Sequence, residues 1–146
     1  MKIWFDMDGT IADLYGVENW LPMLIDGDPT PYEIARPLVN LSRLARYLNK
    51  LQKIGHEIGV ISWLSKSSTP EYDALVTSAK LFWLGQHLPS VKWNEIKIVE
   101  YGRNKWEICG EGILLDDEAR NRDTWENAAY TPDEIFDILI GIIKAD

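Results

Sequence analysis

The sequence predicts a three-layer α/β protein, a Rossmann-like parallel sheet of about five strands with helices on both faces. Three observations carry this expectation. Short apolar runs suited to buried strands recur at 2–7, 56–62, 96–100 and 112–115. Stretches with helical spacing or helix-start chemistry alternate with them, which is the pattern of βαβ units. The chemically loud residues fall where the strands stop: Asp6 and Asp8, then Ser62, then Asp116 and Asp117. Open parallel sheets bind ligands beyond the carboxyl ends of their strands.

Each element has a local reason. Ile3 to Phe5 is apolar, and a first strand is expected over 2–7. Residues 14–37 hold Gly16, Pro22, Gly27, Pro29, Pro31 and Pro37, and read as an irregular excursion; its Tyr15, Trp20, Leu21, Met23, Leu24 and Tyr32 fold it back onto the body. Leu41, Leu44, Leu48 and Leu51 form one face of a helix that Gly55 ends. The second strand, 56–62, closes on the hydroxyl of Ser62, and a polar loop 63–69 with Lys66 follows. Thr69-Pro70-Glu71 is a helix start, with a capping residue, proline in the first turn and an acid. That helix is expected to reach Leu84 and stop near Gly85. A third strand spans 96–100, residues 102–109 hold at most a short helix, a fourth strand spans 112–115, and 128–130 reads as a very short fifth. Thr131-Pro132-Asp133-Glu134 opens the last helix with a capping box.

Composition narrows the function. A chain of 146 residues is one domain by its length and buries enough surface to fold without disulfides. The single Cys109 has no partner within the chain, which fits a reducing cytoplasm. No segment has the apolar length of a membrane span, and the two acids within the first eight residues do not suit a signal peptide. The net charge of −8 disfavours nucleic acid as the main partner. Seven tryptophans suit core filling for the most part.

The chemistry concentrates at Asp6-Met7-Asp8-Gly9-Thr10. On extended backbone, residues i and i+2 share a face, so two carboxylates converge if the chain stays extended or turns just after them. Carboxylates at one point repel, and a hard divalent cation such as Mg2+ removes that penalty. Asp116-Asp117 at the end of another strand offers the same ligand chemistry.

The run Asp6-x-Asp8-Gly9-Thr10 with Asp13 resembles motif I of the haloacid-dehalogenase-like (HAD) phosphatase superfamily. The resemblance implies a single hydrolase domain over 1–146 with a short lid or flap at about 14–37, and a phosphomonoesterase reaction through an aspartyl-phosphate. It assigns Asp6 as nucleophile and Asp8 as proton donor. Ser62 matches motif II, whose hydroxyl holds a phosphoryl oxygen. Lys105, eleven residues before Asp116, is the choice for the basic motif III; Lys97, Lys92 and Lys66 stay open. Asp116-Asp117 matches motif IV, so the implied Mg2+ set is Asp6, Asp8 through its carbonyl, Asp116 and Asp117. Thr10 and Asp13 shape the motif I loop, and Asn121 caps the loop after Asp117. His56 and His87 read as surface residues beside helix ends, and Cys109 lacks the neighbours of a thiol nucleophile.

The substrate is less determined. The 14–37 segment is too short for a full cap, so the resemblance implies an open site that takes a large substrate or closes by homo-oligomerisation. Tyr15, Trp20, Tyr32 and Trp63 lead from the site and suit stacking on a ring, or loop packing. The pattern is similar to small deoxyribonucleotidases, and a nucleoside monophosphate is the first expectation among small phosphorylated substrates. The alternatives are a non-catalytic Mg2+- or phosphate-binding regulatory domain, a receiver-type acidic pocket, a phosphotransferase and a dehalogenase. Asp8 disfavours the last, which needs no leaving-group acid.

Overall fold

The central strand of the computed structural model, which describes residues 1–66 and 68–146, is the apolar N-terminal run, β1 (Lys2–Phe5). The chain continues through β2 (Ala12–Asp13), α1 (Trp20–Ile25), α2 (Thr30–Ile34), β3 (Arg36–Pro37), α3 (Leu41–Lys53), β4 (Glu57–Trp63), α4 (Pro70–His87) and β5 (Glu95–Val99). It ends with α5 (Lys105–Cys109), β6 (Ile113–Leu115), α6 (Ala119–Thr124), β7 (Ala129–Tyr130) and α7 (Ile135–Ala145). Five strands form one sheet in the order β5-β4-β1-β6-β7, with every neighbouring pair parallel. The order reverses at β1, and the crevice at such a switch point is where doubly wound sheets bind ligands.

Alternation along the strands builds two cores. Ile3, Phe5, Ile58, Val60, Ile113 and Leu115 point to one face, where Leu44, Leu48 and Leu51 of α3 and Ile135 and Leu139 of α7 cover them. Trp4, Ile61 and Leu114 point to the other face, against Trp125 and the α5 residues Trp106 and Ile108. Burying a Leu or Ile contributes about 1.5–3 kcal/mol, and this packing, more than helix propensity, holds the three layers together. Gly59 is required where β4 passes Trp4, because a Cβ there would lie 2.5 Å from the indole ring.

The structure departs from the sequence expectations at four places. β1 stops at Phe5 because the Met7 carbonyl accepts three amides, from Thr10, Ile11 and Ala12 at 3.0–3.1 Å, and curls the chain. The 14–37 segment is not irregular. It carries α1, α2 and a β2–β3 ladder, and Pro31 sits in the first turn of α2, where proline starts a helix. α4 runs through Gly85 to His87, since burial of Trp83, Leu84 and Leu88 outweighs the roughly 1 kcal/mol that a helical glycine costs. α6 has no apolar periodicity and was not expected; its sequence Ala-Arg-Asn-Arg-Asp-Thr is held by contacts to the Asp116 strand end. Position 67 of the 63–69 loop lies outside the described residues. Among the described residues no helix is long and apolar enough to cross a membrane.

Candidate active site

Parallel register sets the first part of the site. Phe5 pairs with Leu115, and the Asp6 amide donates to the Leu115 carbonyl at 3.0 Å, so Asp6 and Asp116 emerge side by side. Asn104 caps α5 by accepting the Glu107 amide at 3.1 Å, which fixes Lys105 at the start of that helix. The Lys105 ammonium donates to Asp6 Oδ1 at 2.9 Å and to Asp116 Oδ2 at 2.7 Å. Its side chain is 1% exposed. Burial by itself disfavours the ammonium, but Asp6 and Asp116 outweigh it and hold the Lys105 pKa above its ordinary value.

Asp117 lies beside this pair. Carboxylate oxygens of Asp6, Asp116 and Asp117 all lie within 4.8 Å of one another. Thr10 ties them together: its hydroxyl contacts Asp6 Oδ2 at 3.0 Å and Asp117 Oδ1 at 3.3 Å, and it accepts the Asp117 amide at 3.1 Å. Gly9 lets Asp117 in, because it has φ +82° and a Cβ there would stand 2.2 Å from Asp117 Oδ2. Asn121 donates to Asp116 Oδ2 at 3.1 Å, and the Glu118 amide donates to Oδ1 at 2.9 Å. Burial, then the hydrogen bond and charge of Asp6, push the Asp117 carboxyl up to about 8. Burial and the Asp6 charge push Asp116 up to about 6 against the pull of Lys105. Three oxygen donors crowded beyond what one lysine neutralises fit a hard divalent cation such as Mg2+. The Asp8 carboxylate is not part of this cluster, because its side chain turns to a lysine, which agrees with an expected metal set that takes only the Asp8 carbonyl.

That lysine is Lys80, on α4, which the sequence reading did not select. Its ammonium donates to Asp8 Oδ2 at 2.9 Å, to Ser62 Oγ at 2.6 Å and to the Trp63 carbonyl at 2.6 Å. Lys80 and Ser62 are both fully buried. A signal was present: Lys80 lies on the stripe Tyr72, Val76, Ala79, Trp83, Leu84, which is the buried face of α4. Burial pushes the Asp8 carboxyl up, against the opposing charge of Lys80.

The aspartates of the site open into a cleft of about 340 Å³, while Ser62, Lys80 and Lys105 are buried behind its lining. Asp6, Asp8, Asp116 and Asp117 form its floor, and Tyr15, Trp20, Tyr32 and Trp63 all line it, joined by Tyr101. Leu21, Leu24 and Ile25 of α1 add apolar lining. Burial and then the Asp8 charge raise the Tyr15 and Tyr32 phenols, which therefore stay protonated donors. Lys66 lines the cleft but is exposed, Lys92 is exposed, and Lys97 reaches the Ile108 carbonyl at 3.4 Å. Asp13 faces away and accepts the Gly16 amide at 3.0 Å. His56 and His87 are half-buried, not fully on the surface: His56 bonds Asp146 at 2.6 Å, and the His87 ring lies 4.4 Å from that of Trp83. Burial pushes the Cys109 thiol up to about 11, which does not suit a nucleophile.

No protein-family model and no curated protein sequence matches the chain. Among solved structures it is similar to a D,D-heptose 1,7-bisphosphate phosphatase from Burkholderia thailandensis, with a TM-score of 0.56 and 11% sequence identity over 97% of each chain. The chain therefore has the three-layer α/β fold of that phosphatase along its length.

Proposed function

We propose that this chain is a Mg2+-dependent phosphomonoesterase of the HAD-like kind that works through an aspartyl-phosphate on Asp6. The observation that carries the reading is the buried ion cluster at the switch point, with Lys105 between Asp6 and Asp116 and Asp117 alongside. Asp6, Asp116, Asp117 and the Asp8 carbonyl would hold Mg2+, which when bound offsets negative charge on the phosphoryl group and keeps Asp6 ionised. A bond forms between the Asp6 carboxylate and phosphorus as the bond from phosphorus to the leaving oxygen breaks, and Asp8 gives that oxygen a proton. Water then attacks the phosphorus of the acyl phosphate and passes a proton to Asp8. This releases inorganic phosphate and restores the Asp6 carboxylate. The Ser62 hydroxyl and the Lys105 ammonium hold phosphoryl oxygens.

The substrate side of this reading is a nucleoside monophosphate. Its support is the contrast between the acidic floor of the cleft and its ring-bearing wall of Tyr15, Trp20, Tyr32 and Trp63. Stacking a base on such side chains contributes about 1–3 kcal/mol. The 14–37 segment serves as a small lid on this reading, supported by Trp20, Leu21, Leu24 and Ile25 of α1 and Tyr32 of α2 lining the cleft. A panel of nucleoside monophosphates, sugar phosphates and aryl phosphates, with and without Mg2+, tests both parts. Phosphate release that needs Mg2+ and disappears in Asp6→Asn is the expected result, with nucleotides turned over ahead of sugar phosphates. A folded, Mg2+-binding chain that hydrolyses none of them is instead a regulatory domain.

A further inference from the structure

Resting on the phosphatase reading above, we propose that Lys80 is a positioning residue that aims two catalytic groups at once: it turns the Ser62 hydroxyl into a donor toward the phosphoryl group and holds Asp8 at the leaving oxygen. The geometry leaves it little else to do. An ammonium has three N–H donors, and Lys80 has three acceptors within 2.6–2.9 Å, namely Asp8 Oδ2, Ser62 Oγ and the Trp63 carbonyl. No donor is left over for a substrate. Because Ser62 Oγ accepts from Lys80, its own proton turns away, and among the described residues no protein acceptor takes it. The buried hydroxyl therefore keeps its O–H free of protein acceptors among the described residues, available to a phosphoryl oxygen that reaches it. Asp8 has one oxygen tied to Lys80 and the other free for proton transfer, which fixes the plane of its carboxyl group.

The lysine is held as firmly as it holds. Trp83, one turn along α4, is fully buried and donates from Nε1 to the Ala35 carbonyl at 2.8 Å, which anchors the helix face that carries Lys80. The Tyr32 ring lies 5.1 Å from the ammonium and covers its open side. Lys105, by contrast, touches Asp6 and Asp116 and neither Asp8 nor Ser62. The two buried lysines thus divide the site, one on the nucleophile and metal side, the other on the acid and phosphate-grip side.

Two aryl esters separate the roles, assayed with Mg2+ on the full chain. p-Nitrophenolate leaves readily without a proton, whereas phenolate, the leaving group of phenyl phosphate, gains from one. If the wild type turns over neither ester, the phosphatase reading itself falls, and this role falls with it. Given turnover, Lys80→Met is expected to lower kcat/KM on both esters by about tenfold through Ser62, and on phenyl phosphate by roughly another tenfold through Asp8. Asp8→Asn should reproduce the second, ester-dependent loss. An equal loss on the two esters in Lys80→Met, or in Asp8→Asn, would overturn the proposal. If Lys80→Met does not fold, Lys80→Met/Asp8→Asn, which removes both charges of the pair together, is compared with Asp8→Asn. An unchanged ratio between the two esters is expected, and a further change in that ratio would also overturn the proposal.

Discussion

At the two edges of one sheet a lysine meets two carboxylates under opposite conditions. At the amino edge, Lys2 pairs with Glu95 at 3.4 Å and Glu111 at 3.2 Å, and the two glutamates are 38% and 62% exposed. At the carboxyl edge, Lys105 pairs with Asp6 and Asp116 at shorter distances, and none of the three is more than 9% exposed. Exposed pairs contribute roughly 0–1 kcal/mol. Burying an ion costs several kcal/mol, which a good partner only partly returns. The amino edge is thus ordinary surface electrostatics. The carboxyl edge is an arrangement that a stability optimum would replace with apolar residues, and its survival points to chemistry.

The largest expected effect breaks this contrast at its chemical end. Asp6→Asn should lower phosphate release from an aryl phosphate by about a thousandfold or more, whereas Glu111→Gln at the amino edge should leave the rate unchanged. Comparable losses in both would mean the two edges do not differ in role. Stability is next. Lys105→Met leaves Asp6 and Asp116 buried without their counter-charge and should cost about 3–5 kcal/mol in urea unfolding; Lys2→Met should cost less than about 1 kcal/mol. Similar costs would show that burial is not what separates the pairs.

A third measurement sharpens the assignment of the metal. Mg2+ at a hundredfold excess over its dissociation constant should raise unfolding stability by about 2.7 kcal/mol. The gain should vanish in Asp116→Asn and persist in Glu95→Gln. A gain that survives Asp116→Asn would place the cation elsewhere. The smallest effect concerns Cys109, whose thiol burial pushes from the ordinary 9.0 up to about 11. A raised folded-state pKa favours the protonated form, so its contribution to stability is complete below pH 9 and fades as the pH climbs through about 11. Thiol labelling of the folded chain should accordingly stay slow at pH 8 and accelerate only near pH 11. Fast labelling at pH 8 would show that α5 opens readily at this end.

Much of the site was legible from residue order alone. Asp6, Ser62, Asp116 and Asp117 end apolar strand runs, and parallel strands in register must deliver such ends to one edge. Lys105 was legible more weakly, as a lysine opening a short helix before the last acidic pair. The 14–37 segment misled because its prolines look like breakers, yet Pro31 lies in the first turn of α2, where a missing amide costs nothing. α6 misled for the opposite reason, since its polar sequence buries almost nothing and is ordered by Asn121 and Arg122 reaching Asp116.

What the sequence by itself determined is the alternation of strands and helices and the placing of carboxylates at strand ends, because both depend on neighbours a few residues apart. What only the tertiary structure decided is which lysine serves which carboxylate. Lys80 is separated by 72 residues from Asp8 and by 18 from Ser62. Their meeting depends on how α4 packs across the sheet, and no local periodicity encodes that packing. A buried charge needs its partners in three dimensions, and those partners are set when the core closes.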